Sequence, residues 1–355
     1  MSVKEYLNFY KNKKVFITGH TGFKGIWLTN TLLTLGAKVA GYSLRDEKIF
    51  IYKKNCNYKK VRNIYANILD FKKIKSEIYK FKPQIIFHLA AQSLVIRSIK
   101  SPKNTIETNL NGTLNILEAC RNYNFIKSAV IITSDKCYLN KEIYQGYKES
   151  DVLGGEDPYS ASKASAELIY HAYNETFFKK KDIGIATTRA GNVIGGADWS
   201  ENRIVPDIIK SIKYKKKLII RNPLSTRPWQ HVLEPIKGYL LLGFKLFKNP
   251  KKFSQPWNFG PKGNQVKNVK NLVKDFNKYM SPFKLKVNFK KVSQFNEAKL
   301  LKLNSNKSNK YLKWNCKWTM EQAIYQTALW YKNFLLKKDP ITLTKKQIKN
   351  YFGLN

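Results

Sequence analysis

The sequence predicts an α/β protein with a doubly wound parallel sheet and a smaller mixed α/β region towards the C-terminus. Short apolar runs typical of buried strands occur at residues 15–18, 38–42, 85–91, 130–132, 185–189 and 257–260. Helical patterns separate the first five of these runs, and regular alternation stops after residue 190. Alternating strands and helices are typical of βαβ units, so we expect a Rossmann-type fold.

A regular glycine spacing, G-x-x-G-x-x-G at Gly19, Gly22 and Gly25, lies between the first strand and the first helix. Glycine allows a tight turn, and its missing side chain lets the backbone approach a pyrophosphate. The N–H groups at the start of the helix also favour phosphate. We therefore interpret this turn, with Thr21 and Phe23, as part of a dinucleotide site rather than as an ordinary tight turn.

The end of the second strand carries Arg45 close to where an NAD site usually has an acidic residue that binds the ribose. Arg45 could face the adenosine, or it could bind the 2′-phosphate if the cofactor were NADP. It could equally be a surface residue. The residues themselves leave these alternatives open.

Two further stretches are expected beside the cofactor. Asn67 and Ile68 precede a lysine-rich helical pattern and are placed to cover an adenine, whose amino group the amide could hydrogen-bond. Leu89, Ala90 and Ala91 end the strand pattern at residues 85–91, where small side chains leave room for a cofactor.

Two polar residues in this half of the chain have structural alternatives. His88 lies inside an apolar run, so we interpret it as a hydrogen-bonded core histidine. Asn109 lies in a helical pattern, where it could hold a water or a backbone carbonyl near the cofactor or could simply cap a helix.

A cluster of reactive side chains is predicted at the rim of the sheet. Tyr159 and Lys163 are four residues apart, so they share one face of a helix. An ammonium beside a phenol lowers the pKa of that phenol, which would make Tyr159 a general base. Ser134, Asp135 and Lys136 follow the apolar run at 130–132. The alternative for the Tyr159/Lys163 pair is a solvated helix face.

Arginine is unevenly distributed in this lysine-rich chain. Four of the eight arginines, Arg189, Arg203, Arg221 and Arg227, fall within 39 positions of one another. The planar guanidinium binds phosphate through two parallel hydrogen bonds, which lysine cannot do. The cluster therefore indicates a phosphorylated ligand, with chance clustering as the alternative.

Composition excludes several functional classes. The formal net charge is +41, from 65 basic and 24 acidic residues, but the lysines are dispersed along the chain. We expect solvated lysines and no specific nucleic-acid surface. Four scattered cysteines without C-x-x-C spacing and four scattered histidines predict no metal site and favour a reducing cytoplasm. The N-terminal residues lack the apolar segment of a signal peptide, and no apolar run is long enough to cross a membrane.

The motifs together resemble the extended short-chain dehydrogenases/reductases that act on nucleotide sugars, the NAD-dependent epimerase/dehydratase family. The resemblance is closer still to the branch of CDP-glucose 4,6-dehydratases. It runs from about residue 13 to residue 260 and continues more weakly to the C-terminus. The wider sugar-dehydratase group usually has Thr-Asp-Glu at the strand end, whereas this chain has Lys136 in place of the glutamate. The stretches that carry the resemblance are GHTGFKG from Gly19, FHLAAQSLV from Phe87, TSDKCY from Thr133, DPYSASKASAE from Asp157, RAGNVIGGADW from Arg189 and RPWQHVLEP from Arg227.

The resemblance implies an activity and roles for the reactive residues. CDP-glucose would be converted to CDP-4-keto-6-deoxyglucose and water, with NAD as the cofactor, in deoxysugar and O-antigen polysaccharide biosynthesis. Tyr159, activated by Lys163, would take the C4 hydroxyl proton, and Ser134 would hydrogen-bond the sugar near C4. Asp135 would protonate the leaving C6 oxygen and Lys136 would remove the C5 proton, or these two roles could be exchanged.

The resemblance also implies the substrate contacts, which we expect from Gln92, Asn192, Arg203, Arg221 and Arg227. The alternatives are another nucleotide-sugar 4,6-dehydratase or a 4-epimerase of the same fold. A basic Rossmann-type protein that binds RNA is the non-enzymatic alternative.

The expected organisation has two parts. Residues 1–192 would form the NAD-binding Rossmann domain, with a returning segment near 228–262. Residues 193–355 would form a discontinuous nucleotide-sugar-binding domain. A capped amphipathic helix is expected at 319–337, and we expect a homo-oligomer, either a dimer or a tetramer.

Overall fold

The structure is a computed structural model that describes residues 3–45, 48–220, 222–261, 267–289 and 300–354. For residues 3, 4 and 48 it describes the backbone alone. Within these ranges, no helix is both long enough and apolar enough to cross a membrane.

A seven-stranded parallel sheet forms the centre of the molecule, in the order β11-β6-β5-β4-β1-β2-β3. The order reverses between β1 and β4, which is the switch point where doubly wound sheets bind their ligands. Its strands are β1 Lys14–Thr18, β2 Lys38–Ser43, β3 Val61–Tyr65, β4 Ile85–His88, β5 Ser128–Ile132, β6 Gly184–Ala190 and β11 Trp257–Phe259.

Helices cover both faces of this sheet, because adjacent strand residues point to opposite sides. Val15 and Ile17 of β1 pack into the core on one face and Phe16 into the core on the other. The first core is completed mainly by α1 Val3–Asn8, α2 Phe23–Thr34 and α10 Leu233–Lys248. The second is completed mainly by α4 Phe71–Phe81, α7 Gly112–Asn122 and α8 Pro158–Tyr173.

The remaining elements are shorter or lie in the C-terminal half. Three pairs of short strands, β10–β7, β12–β9 and β13–β8, are separate from the main sheet. These strands are β7 Val193–Ile194, β8 Leu218–Ile220, β9 Thr226–Arg227, β10 Gln230–His231, β12 Lys267–Asn268 and β13 Val287–Phe289. The other α-helices are α3 Lys48–Asn55, α5 Val95–Lys100, α6 Pro102–Ile106, α9 Ile204–Lys213, α11 Pro250–Phe253, α12 Val269–Tyr279, α13 Met320–Leu335 and α14 Pro340–Phe352.

All six predicted strands are present in the main sheet, and one strand of that sheet, β3, was missed. β3 was not expected from the sequence, since Val-Arg-Asn-Ile-Tyr is not a continuous apolar run. It lies at the edge of the sheet, where alternating exposure permits polar residues. The returning strand predicted near residue 257 pairs with β6. The domain boundary predicted at residue 192 stays a prediction.

A buried carboxylate fastens the C-terminal segments to α10. Glu234 Oε1 accepts a hydrogen bond from Trp318 N at 2.8 Å. Its Oε2 accepts from Lys317 N at 2.9 Å and from the hydroxyl of Tyr351 on α14 at 2.5 Å. The same helix α14 packs against α2 and α3. The last helix of the described chain is thereby joined to the Rossmann core.

The predicted capped helix in the C-terminal region is confirmed as α13. The Thr319 side chain accepts from Gln322 N at 3.2 Å, and the Gln322 side chain accepts from Thr319 N at 2.9 Å. This reciprocal arrangement is a capping box, which satisfies two backbone N–H groups at the start of the helix.

Replacing Thr319→Ala should lower the free energy of unfolding by about 1 kcal/mol, because it removes the cap while leaving the buried face of α13 unchanged. Thr319→Ser keeps the hydroxyl and is the matched control. Urea unfolding of the three proteins measures the difference. Equal stability of the alanine and serine variants would contradict a contribution from the cap.

Candidate active site

The turn after β1 makes a close backbone contact with the residues that follow β4. Gly19 has φ of +74° and donates its N–H to Tyr42 O at 2.8 Å. A Cβ at Gly19 would lie 2.7 Å from Ala90 N, and one at Gly25 would lie 2.1 Å from Gly19 O. Both positions therefore require glycine, which brings the turn, the start of α2 and the end of β4 together.

A buried histidine inside the glycine turn was missed by the sequence analysis. His20 contacts Ser43 Oγ through Nδ1 at 2.9 Å and Asn63 Oδ1 through Nε2 at 3.1 Å. Burial lowers the pKa of His20 to about 4, so its ring is neutral near pH 7. The ring joins the turn to the end of β2 and to the middle of β3. The sequence hints at this buried ring through the glycine at position 41 on β2, because a Cβ there would lie 2.3 Å from the His20 ring.

Residues predicted to face the cofactor lie along the same edge of the sheet. Arg45 is exposed just beyond β2, and its charge partly offsets the raising of the Tyr65 pKa by burial. Asn67 Oδ1 accepts from Leu69 N at 3.0 Å, and Ile68 is buried. Their contacts with a cofactor stay predictions.

The end of β4 and the stretch after it contain three residues predicted to lie beside the cofactor and the predicted core histidine, His88. Leu89, Ala90 and Ala91 are half-buried. His88 contacts Thr18 Oγ1 at 2.7 Å and Thr113 Oγ1 at 3.3 Å. The interpretation of His88 as a hydrogen-bonded core residue is thereby confirmed.

Asn109 links the loop after β4 to the helix that carries Tyr159. Its side chain accepts from Gln92 N at 2.8 Å and donates to Gln92 O at 3.0 Å and to Ser162 Oγ at 2.8 Å. It therefore holds a backbone carbonyl, one of the alternatives expected. The side-chain amide of Gln92 bonds to Leu94 in its own loop and to Thr105 on α6. A contact of Gln92 with substrate stays a prediction.

The structure brings the five predicted catalytic residues together after the C-terminal end of β5 and at the start of α8. Ser134 caps a single 3₁₀ turn, accepting from Lys136 N at 3.2 Å and donating to Asp135 Oδ1 at 3.0 Å. Tyr159, in the first turn of α8, is hydrogen-bonded to Ser134. Lys163 lies one turn further and donates to Ile132 O at 3.2 Å. Their catalytic roles stay predictions.

The expected lowering of the Tyr159 pKa by Lys163 is wrong for this structure. Burial raises the pKa of Tyr159 to about 12, although the hydrogen bond with Ser134 opposes the rise. The Lys163 ammonium is directed at the Ile132 carbonyl, and burial lowers its own pKa to about 8. Desolvation of the phenolate is the largest contribution, and the charge of Arg203 only partly opposes it.

Asp135 has the environment of a proton donor. Burial raises the pKa of its carboxyl group, while Lys136, Ser134, Lys24 and Arg227 partly oppose the rise. A carboxyl group with a raised pKa retains its proton closer to neutral pH.

Lys24 is a second residue that the sequence analysis missed. Burial lowers its pKa to about 8, and the charges of Arg203 and Lys163 act in the same direction. The negative charges of Asp135 and Asp198 oppose the lowering, so the Lys24 ammonium lies close enough to interact with both carboxylates. The available signal was a lysine in the first turn of a helix, where the helix dipole disfavours a cation.

The predicted arginine cluster is divided in the structure. Arg189 is wrong as a phosphate ligand, because it is buried and forms an ion pair with Glu167 at 2.9 Å. Arg203 pairs with Asp198 at 3.2 Å and keeps 35% of its side chain exposed. Arg227 donates to Thr226 O at 2.8 Å, and its charge reaches Asp135.

The two remaining residues predicted to bind substrate are Asn192 and Arg221. Asn192 is half-buried, and its carbonyl accepts from Gln230 N at 3.0 Å, which joins β7 to β10. Arg221 lies outside the described residues. Among the residues that the structure does describe, no group of three or more His, Cys, Asp or Glu could hold a metal ion.

The parallel sheet, the glycine turn and the Tyr159/Lys163 helix define a nucleotide-binding Rossmann-type protein, and the chain belongs to the GDP-mannose 4,6 dehydratase family, whose model matches residues 16–327. Within that family it is 40% identical over 354 residues to CDP-glucose 4,6-dehydratase of Salmonella typhimurium, covering 98% of both chains. It is 29% identical to dTDP-D-glucose 4,6-dehydratase of Dictyostelium discoideum, covering 64% of this chain and 54% of that protein.

Solved structures show the same fold. An epimerase from Methanothermobacter thermautotrophicus superposes with a TM-score of 0.82 at 20% identity, covering 94% of this chain and 96% of that one. The dTDP-glucose 4,6-dehydratase of Bacillus anthracis, solved in complex with NAD, gives 0.75 at 22% identity, covering 93% and 99%. These matches confirm the predicted Rossmann-type fold.

Substitution of Asp135→Asn should stabilise the folded protein at pH 7. A carboxyl group whose pKa is raised by folding binds its proton more tightly in the folded state, so its contribution to stability is lost as pH rises above the unfolded pKa. Asparagine removes the buried charge. Urea unfolding at pH 7 and at lower pH should show an advantage for the variant that shrinks as the pH falls.

The control is Asp182→Asn, which alters an exposed pair with Lys127 and should change stability little at either pH. An Asp135→Asn variant that is less stable than the parent at pH 7 would contradict the inferred cost of the buried carboxylate.

Proposed function

We propose that the protein is a CDP-glucose 4,6-dehydratase that converts CDP-glucose to CDP-4-keto-6-deoxyglucose and water, with hydride passing from C4 to C6 through NAD. The observation that carries the proposal is the grouping of Ser134, Asp135 and Lys136 beside Tyr159. An epimerase needs no acid and base for elimination of water, so this grouping favours a dehydratase. The 40% identity to the Salmonella enzyme over 98% of the chain supports the nucleotide and the sugar.

The residues around the glycine turn fit NAD. Gly19 and Gly22 present backbone without a side chain in this turn, and the 12-residue helix α2 begins directly after it. Such a turn can hold the pyrophosphate on backbone N–H groups. Half-buried Leu89 and Ala91 extend the same edge. When bound, NAD would accept hydride from C4 and return it to C6.

The chain's own groups would move the protons. Tyr159 accepts the C4 hydroxyl proton as the phenolate, which its raised pKa makes the minor form near neutral pH, and Ser134, which contacts both Tyr159 and Asp135, orients the sugar at C4. Asp135 gives its proton to the departing C6 oxygen, which agrees with the raised pKa of its buried carboxyl group. Lys136 takes the C5 proton and returns a proton to C5 when C6 receives hydride. Arg203 and Arg227 then supply positive charge for the diphosphate.

Incubation with CDP-, dTDP-, UDP- and GDP-glucose tests the proposal. Mass spectrometry should show loss of one water most rapidly from CDP-glucose. Epimerisation without loss of water would assign a 4-epimerase instead, and faster dehydration of another nucleotide glucose would overturn the choice of cytidine.

Tyr159→Phe should reduce formation of NADH from CDP-glucose by about 10²- to 10⁴-fold, because the base at C4 is lost while the aromatic ring still fills its place. Tyr144→Phe is the matched control, since its ring is 83% exposed. Absorbance of NADH in a single turnover is the measurement. A rate within about threefold of the parent would remove Tyr159 from the reaction.

Lys136→Met should separate elimination from oxidation. Methionine keeps the length of the side chain but cannot transfer a proton, so NADH should accumulate without release of the 6-deoxy product. Lys141→Met, at an exposed position in the following loop, is the control. Normal product release by Lys136→Met would contradict its role as the C5 base, and failure to form NADH would place it in substrate binding or oxidation.

The location and assembly of the protein belong to the same proposal. All four cysteines are free, which supports a reducing cytoplasm, where nucleotide sugars for O-antigen synthesis would be used. A dimer or tetramer stays a prediction, which size-exclusion chromatography with light scattering would measure.

A further inference from the structure

The buried carboxylate of Glu167, on α8, accepts hydrogen bonds from three different side chains. Glu167 Oε1 accepts from Thr133 Oγ1 at 2.5 Å and from Arg189 Nε at 3.0 Å. Its Oε2 accepts from Thr187 Oγ1 at 2.7 Å and from Arg189 Nη2 at 2.9 Å. The side chains of Glu167 and Arg189 are only 2% and 3% exposed. A buried pair of this kind is costly unless its hydrogen bonds are satisfied, as they are here.

The pair reaches both ends of the catalytic segment 133–138. Thr133 at its beginning bonds to Glu167. Tyr138 at its end accepts from Arg189 Nη1 at 2.7 Å and donates to Asn258 Oδ1 on β11 at 2.9 Å. Ser134, Asp135 and Lys136 therefore lie between two anchored residues.

The carboxylate also lies on the catalytic face of α8. Tyr159, Lys163 and Glu167 are spaced at four-residue intervals, so they follow one another along one side of the helix. Burial opposes ionisation of Glu167, but Arg189, Thr133 and Thr187 outweigh it and lower its pKa. Burial lowers the pKa of Lys163 to about 8, and the negative charge of Glu167 limits that lowering.

The other titratable groups that act on Lys163 come from different elements. They are Cys137 in the catalytic segment, His88 at the end of β4 and Lys24 on α2. Burial keeps Cys137 a thiol and His88 neutral, and Lys24 has the same sign as Lys163. Of these groups and Glu167, only the glutamate supplies negative charge at neutral pH.

We propose that Glu167, held by Arg189, is a positioning residue for the reaction: it keeps Lys163 charged beside Tyr159 and fixes the segment that carries Ser134, Asp135 and Lys136. The inference rests on the proposed function, because Tyr159 can take the C4 proton only as the phenolate, which a charged Lys163 on the same helix face favours over a neutral one. Glu167 touches neither the sugar nor the cofactor in this role; it acts through the residues that do.

The test is Glu167→Gln, which preserves the shape of the side chain and removes its charge. Loss of the anion beside Lys163, with Arg189 left unpaired, should lower the pKa of Lys163 further. The alkaline limb of the pH profile for NADH formation from CDP-glucose should then move down by about one pH unit, with kcat falling more than KM rises. Lys163 can also be labelled with a small amine-reactive reagent at a series of pH values and the product measured by mass spectrometry. The pH midpoint of labelling should show the same downward shift without any turnover.

Glu77→Gln is the matched control. Glu77 on α4 pairs with Arg62 at 2.8 Å, and the glutamate side chain is 8% exposed although that of Arg62 is 43% exposed, so the variant removes a mostly buried, arginine-paired carboxylate away from the site. Its pH profile should match that of the parent. Glu167→Asp retains the charge and should keep the alkaline limb close to the parent position even if kcat falls.

If Glu167→Gln does not fold, the double variant Glu167→Leu/Arg189→Met removes both charges without leaving one unpaired. As the pH is raised, this variant should also lose activity at a lower pH than the parent does. An unchanged pH profile and an unchanged labelling midpoint in the folded variants would overturn the inference. Inactivity of the parent protein with CDP-glucose would instead reject the proposed function, and the labelling comparison would still decide the role of Glu167.

Discussion

The close backbone contact between Gly19 and Ala90 is the constraint on which the site depends. It fixes where β1 ends, where α2 begins and how near the end of β4 can come, all at the switch point of the sheet. A side chain at Gly19 or Gly25 would push these elements apart, and a close-packed protein interior cannot accommodate that displacement without repacking. The geometry that admits a dinucleotide is therefore a property of the backbone more than of any polar side chain.

Burial governs the chemistry of the groups around this turn. Tyr159 and Asp135 both have raised pKa values, and those of Lys163 and Lys24 are both lowered. All four shifts favour the neutral form, as desolvation requires. The pKa values of Asp135, Lys163 and Lys24 thereby move towards neutral pH, where these groups can exchange protons, whereas that of Tyr159 moves away from it.

Much of the fold could be predicted because its signals are local. The glycine spacing, the apolar strands and the Tyr159/Lys163 pair are each contained in a few neighbouring residues. What could not be predicted depends on contacts between distant segments. Arg189 was assigned to phosphate because its sequence neighbourhood does not reveal Glu167 on another element. His20 was overlooked because only folding places it between β2 and β3.

The attachment of α14 has a practical consequence. Tyr351 bonds to Glu234 at the start of α10, and α14 itself lies on α2, the helix that begins at the glycine turn. The final helix is thus part of the support for the nucleotide-binding turn, although it is remote in sequence. Shortening the chain at this end, or fusing an affinity tag to it, would therefore remove or crowd a contact of the helix that begins at the nucleotide-binding turn.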